Sequence, residues 1–316
     1  MALSFDPDVA AAAAPILAAH EGHVPPPAGD WQSRRTGFEM MLGEMAKALP
    51  EYPEVARQDF HATAADGSDI LLRWYTKDGH QPGSAIFYIH GGGMIMGSVE
   101  LFDRLVARYV AHTNVRFLAV DYRLAPENPH PTPIEDAFSG LKWLKDHASE
   151  LNVDPARIGV MGDSAGAGLA AALALLNRDR GCVDLAAQIL VQPMLDDRTV
   201  EPDPEIAGLA LWGYADNSTG WGALLGDAAG GPDVSPYAAP ARATDLAGLP
   251  PAYLEVGELD IFRDEVLAYA RGLTAAGVST ELHLHRGSPH GFDVLAPDAP
   301  VSRRAIADRF RAITSV

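Results

Sequence analysis

Ile158-Gly159-Val160-Met161-Gly162-Asp163-Ser164-Ala165-Gly166-Ala167-Gly168-Leu169-Ala170 is the stretch that decides the fold. Its first four residues are an apolar run of strand type, its last six have the composition of a helix, and one serine stands at the junction. A strand, a sharp turn and a helix with serine at the apex is the context of a nucleophile elbow. Gly162 and Gly166 fit that reading, because helix and strand approach closely there and a strained turn tolerates no neighbouring Cβ. The helix also directs its positive end at any negative charge developing beside Ser164. By itself the pattern arises by chance in roughly one in eight chains of this composition. Its weight therefore depends on what surrounds it.

Outward from this stretch the chain alternates short apolar runs with helical periodicity. The runs lie at 85–89, 116–120, 157–161, 186–191, 252–256 and 281–285; helical patterns include 133–150, 165–178 and 263–276. Runs apolar throughout predict strands covered on both faces, hence a mostly parallel sheet with helices on either side. Before them, alternating stretches at 57–63 and 69–76 flank Ala64-Ala65-Asp66-Gly67-Ser68, a hairpin signal that raises the count to eight strands. Such sheets bind ligands beyond the carboxyl ends of their strands. Two segments escape the alternation: residues 1–50, with a Met-rich helix around 38–45, and residues 196–245, rich in Pro, Gly, Ala and Trp. Both are expected to form a helical cap over that edge of a catalytic domain spanning 51–316. The competing reading of 196–245 is a long mobile loop.

The chain has 316 residues, 47% hydrophobic and 21% charged, with a formal charge of −18. That length accommodates one large α/β domain with an appendage. The acidity argues against nucleic acid or an anionic membrane as partner and favours a neutral or cationic small substrate. No apolar run approaches the roughly 20 residues of a membrane span. The apolar run at 9–17 lacks a basic lead-in, since Arg34 is the first Lys or Arg, so it reads as a helix of a cytoplasmic protein rather than an export signal. Cys182 is alone, which forbids an internal disulfide.

The chemistry is expected after the strands. His90-Gly91-Gly92-Gly93 follows the run ending at Ile89, and successive glycines let backbone N–H groups converge on an oxyanion. A phosphate loop would use similar glycines, but no Gly-Lys-Ser/Thr follows. Gly92, Gly93 and Ala165 are the candidate donors. An activated serine needs a base and a group that orients the base. His290 and Asp260 follow the last two runs; Asp196 and Asp197, one strand earlier, compete with Asp260, whereas Asp264 reads as a helix-start residue. His283 and His285 share a strand face but lack a third metal ligand, so no metal is expected. Met94, Met96, Leu195, Trp212 and Phe292 are candidates to line an acyl pocket.

Five blocks carry a resemblance: His90-Gly91-Gly92-Gly93, Asp121-Tyr122-Arg123-Leu124-Ala125-Pro126-Glu127, Gly162-Asp163-Ser164-Ala165-Gly166, Asp260 with Arg263-Asp264-Glu265, and His290-Gly291-Phe292. In this order the chain resembles the bacterial branch of the hormone-sensitive-lipase-like esterases, of α/β-hydrolase fold. The resemblance implies a triad of Ser164, Asp260 and His290, an oxyanion hole of glycine-block amides and Ala165, and a helical cap. It implies hydrolysis of short- to medium-chain carboxylic esters without a cofactor; a metabolite deacetylase or amidase, or a non-catalytic receptor on the same fold, are the alternatives. It also implies that the 121–127 block supports the site structurally, and it makes a second copy of the chain a candidate partner. Ile261 stands where many relatives have proline and Ala167 where a second glycine is common.

Overall fold

The computed structural model describes residues 3–19, 25–48, 50–79 and 83–316; the rest of the 1–50 segment, residues 1, 2, 20–24 and 49, lies outside the described residues. The eight expected runs form one sheet: β1 (Val55–Thr63), β2 (Asp69–Lys77), β3 (Gly83–Ile89), β4 (Arg116–Val120), β5 (Val153–Asp163), β6 (Leu185–Val191), β7 (Ala252–Gly257) and β8 (Thr280–His285). Their order is β1-β2-β4-β3-β5-β6-β7-β8. The β1–β2 hairpin pairs antiparallel within itself and with β4, and every later pairing is parallel.

Helices fill the connections: α1 (Pro7–Ala19), α2 (Trp31–Ala48), α3 (Asp103–Thr113), α4 (Thr132–Asp146), α5 (Ala165–Arg180), α6 (Tyr214–Leu225), α7 (Arg263–Ala275), α8 (Phe292–Leu295) and α9 (Pro300–Thr314). Because successive strand residues face opposite ways, Phe87, Ile89, Leu118 and Val120 join α4, α5 and α7 in one core. Ile86, Tyr88, Phe117 and Ala119 join α3 and α9 in the other. Residues 165–177 of α5 are all buried, as an Ala- and Leu-rich helix with no polar face requires. The pattern expected at 133–150 stops at Asp146, where the chain turns at His147. Among the described residues no helix is long and apolar enough to cross a membrane.

The two irregular segments hold structure of their own. α1 packs on α8 and α2 packs on α6. Segment 196–245 is not a featureless loop, since it contains α6 and its two ends are tied together. Buried Asp197 pairs with Arg242 at 2.6 Å and accepts the Gly230 amide at 2.6 Å.

Register brings the ends of the central strands to one edge. Ile89 pairs with Gly162, Asp163 with Val191, Val191 with Glu255, and Gly257 with His285. The residues that follow each of these therefore emerge side by side.

Candidate active site

Ser164 sits between β5 and α5 with φ 56° and ψ −120°, a left-handed conformation that a non-glycine residue occupies only under constraint. The constraint is visible on both sides of the turn. A Cβ on Gly166 would lie 2.1 Å from the Ile89 carbonyl oxygen, and one on Gly162 would lie 2.3 Å from the Gly166 carbonyl carbon. The Ser164 amide donates to the Val191 carbonyl at 2.8 Å, and the Ser164 carbonyl accepts from Met194 at 3.1 Å. Ala165 opens α5, so its amide is one of the first-turn groups that have no partner within the helix.

His290 bridges the serine and an acid. Its Nε2 lies 3.0 Å from Ser164 Oγ, and its Nδ1 lies 2.6 Å from Asp260 Oδ2. A carboxylate only accepts, so Nδ1 carries the proton and Nε2 is left bare to accept from the serine hydroxyl. Asp260 is fully buried and its other oxygen accepts the Phe262 amide at 3.0 Å. The Phe262 ring and the imidazole pack in a T-shaped contact with centroids 5.2 Å apart. The competing acids are engaged elsewhere. Asp196 pairs with Arg198, Asp197 with Arg242, and Asp264 with Arg263 in the first turn of α7.

The glycine block turns sharply after β3: Gly92, Gly93 and Met94 have φ of 120°, 59° and 64°. The Gly92 carbonyl accepts from Ile95 and Met96, whereas among the described residues the Gly92 and Gly93 amides donate to no backbone carbonyl. The loop is fixed from beneath. The Tyr122 hydroxyl donates to the His90 carbonyl at 3.0 Å while its ring stacks on the His90 imidazole at 4.3 Å. Asp121 accepts the Val99 amide, and the Ala125 amide donates to the Met94 carbonyl. Burial holds His90 below the usual imidazole range, so its ring is neutral at pH 7. The 121–127 block thus has a physical role: it braces the glycine loop.

The irregular segments press on the same loop from above. On α2, Arg35 donates to the Ile95 carbonyl at 2.5 Å and the Ala125 carbonyl at 3.0 Å, and pairs with Glu127. On the other side, a Cβ on Gly93 would meet the Trp212 ring at 2.6 Å, and one on Gly220 of α6 would meet the Gly93 carbonyl oxygen at 2.7 Å. Of the pocket candidates, Met94, Met96 and Leu195 are buried in the core that Trp212 packs against. Phe292 is not brought to them; it packs in a separate cluster with Val9 and Ala296.

Sequence reasoning missed a buried polar layer under the site. Gln192, Glu255, Asp293 and Arg309 are each no more than 3% exposed. Arg309 donates to Asp293, Tyr109 and Glu255. Gln192 contacts both Asp293 and the amide of Gly291, the residue after His290. Beside Ser164, the Asp163 carboxyl accepts the Tyr88 hydroxyl and is pushed up to about 6 by enclosure in packed protein, against the pull of Arg309. Burial pushes Glu265 well above its ordinary value; it accepts the Leu195 amide at 2.6 Å and so secures the start of segment 196–245.

Comparison with known proteins agrees with this fold. Residues 86–294 match a family described as having the alpha/beta hydrolase fold. Carboxylesterase NlhH of Mycobacterium tuberculosis is 36% identical over 274 residues, 82% of each chain. The ethyl acetate hydrolase of Pseudomonas putida is 31% identical over 248 residues, 74% of each. The solved structure of a bacterial heroin esterase superposes with a TM-score of 0.90 at 37% identity, covering 99% of this chain and 98% of that one. A shared fold, an elbow serine at the carboxyl edge and relatives that are ester hydrolases over most of their length lead to one assignment. The chain belongs to the carboxylic ester hydrolases of the α/β-hydrolase fold, in their hormone-sensitive-lipase-like branch.

Proposed function

We propose that this carboxylesterase acts through Ser164 as nucleophile and an acyl-enzyme, on short- to medium-chain esters. The observation that carries the reading is the bridge made by His290, 3.0 Å from Ser164 Oγ and 2.6 Å from Asp260. His290 takes the hydroxyl proton as Ser164 Oγ attacks the ester carbonyl, and Asp260 holds the imidazole and stabilises its cation. The oxyanion accepts from the amides of Gly92, Gly93 and Ala165. Collapse transfers the proton from His290 to the departing alkoxide. Water, deprotonated by His290, then attacks the acyl-enzyme and frees the acid and Ser164.

In this reading α2 and segment 196–245 form the cap. The closeness of Trp212 and Gly220 to Gly93 supports a confined acyl site, as does similarity to a protein named ethyl acetate hydrolase. The net charge of −18 favours uncharged or cationic esters.

The test is hydrolysis of an aryl ester series of rising acyl length by the wild type and by Ser164→Ala. The variant is expected to lose about 10⁴-fold or more in kcat and to escape fluorophosphonate labelling. The wild type should turn over acetyl to hexanoyl esters fastest. Retention of most activity by Ser164→Ala would overturn the mechanism; an optimum at long acyl chains would overturn the substrate class.

A further inference from the structure

We propose that Gln192 is a positioning residue that sets the distance between nucleophile and base. The proposal rests on the triad reading above.

Five contacts converge on the short segment from the end of β6 to Met194. Val191 and Met194, on either side of Gln192 and Pro193, bind the backbone N–H and C=O of Ser164 at 2.8 and 3.1 Å. The Gln192 amide donates to the Glu255 carbonyl on β7 at 2.8 Å. The Gln192 side chain crosses to the histidine loop. Its Oε1 accepts the Gly291 amide at 2.6 Å, and its Nε2 donates to Asp293 Oδ1 at 3.2 Å. One five-atom side chain thus ties the strand that grips Ser164 to Gly291 and Asp293, the first and third residues after His290.

The chemistry of the side chain matches this task. The loop presents one donor, the Gly291 N–H, and one acceptor, the Asp293 carboxylate, and a primary amide is the group that satisfies both at once. Glutamate would satisfy only the first and lysine or arginine only the second. Asp293 is itself immobilised, since its other oxygen accepts from buried Arg309 at 2.9 Å. The strap is therefore fixed at its far end. At its near end Gln192 holds φ at 48°, a conformation a long side chain adopts only when its surroundings compel it. Apolar side chains of similar size would fill the space without that constraint, and 3% exposure means no water stands ready to replace the lost bonds.

Gln192→Asn is the test. Asparagine tolerates the left-handed backbone and retains an amide, but it is one methylene too short to reach Gly291. It leaves two buried hydrogen-bonding groups unpaired, so its melting temperature is expected to fall by a few degrees with the fold retained, while kcat falls about 10- to 100-fold and KM stays within about threefold, as for a misplaced catalytic group. The rescue is Gln192→Glu combined with Asp293→Asn, which exchanges donor and acceptor and keeps both hydrogen bonds but gives up the Asp293–Arg309 ion pair, so its kcat is read well below its melting temperature. That double variant should recover kcat to within about fivefold of the wild type. If Gln192→Asn is folded with unchanged kcat, or if the double variant is as slow as Gln192→Asn, the proposal fails. Ser164→Ala, run alongside, separates the two ideas: activity retained there removes the triad itself, whereas an inactive Ser164→Ala beside a fully active Gln192→Asn removes only the role of Gln192.

Discussion

Asp163 stands next to the nucleophile and is the most informative single residue for pH dependence. Its folded-state value of about 6 lies above the ordinary 3.8, chiefly through burial. The native state therefore holds this proton more tightly than the unfolded chain does. The stabilisation is complete below about pH 4 and is lost as pH rises through about 6. A shift of roughly two units corresponds to about 3 kcal/mol, an order-of-magnitude figure. Asp163→Asn has no charge to bury and keeps an acceptor for Tyr88. Its stability relative to the wild type should rise between pH 5 and pH 7 and level off above. Urea denaturation of both proteins at pH 5, 6.5 and 8 measures this, and a difference that does not vary with pH would refute it.

At the scale of elements, α6 and the glycine loop form one joint. No side chain larger than hydrogen fits at Gly220, because a Cβ there would stand 2.7 Å from the Gly93 carbonyl oxygen, a backbone atom with little room to retreat. Gly220→Ala should strengthen the helix, alanine being favoured over glycine by about 1 kcal/mol in a helix interior. It should nevertheless displace the loop and lower kcat at least tenfold, since loss of one oxyanion donor costs about 10²–10³. The clash costs about 1–3 kcal/mol, more than the helix gains, so melting temperature and kcat should both fall. A variant more stable and equally active would show that the joint does not govern the loop.

The same scale shows what was legible in sequence. Strands buried on both faces, such as β3, β4 and β7, appear as uninterrupted apolar runs and the β1–β2 hairpin as alternation around a turn; β8 was expected to be covered on both faces, but it lies at the sheet edge and exposes Leu282 and Leu284. The elbow and the glycine block were legible because close backbone approach demands glycine at fixed spacing. The Gly220 joint was not, for its partner lies 127 positions earlier, between 93 and 220, and a single glycine in a Gly- and Ala-rich helix carries no pattern. The reach of Gln192 to Gly291 and Asp293 was hidden for the same reason. Arg309 did leave a trace, since Val301, Ala305, Arg309 and Ala312 mark the buried stripe of α9, and a charge on such a stripe calls for a buried partner.

That arginine operates on the whole molecule. From α9 it reaches Tyr109 on α3, Asp293 on α8 and Glu255 on β7, and its charge also acts on Asp163 at the end of β5. Arg309, Glu255 and Asp293 are all buried, so one guanidinium compensates several carboxylates beneath the site. Burial alone would raise Asp293, but Arg309 foremost holds it below its ordinary value. Its contribution is therefore present at neutral pH and lost as pH falls below the usual carboxylate range. Arg309→Met fills the volume and removes the compensation. Breaking a buried pair on one side costs about 3–5 kcal/mol, because the remaining charges stay buried without a partner. Without Arg309, burial would raise Asp293 above its unfolded value, so the deficit should narrow as pH falls and it takes up a proton. Denaturation at pH 7.5 and pH 5 should show a loss of that size at the first and a smaller one at the second. A loss independent of pH would mean that Arg309 contributes packing rather than charge, and no loss at all would mean that the layer under the active site is not held by this residue.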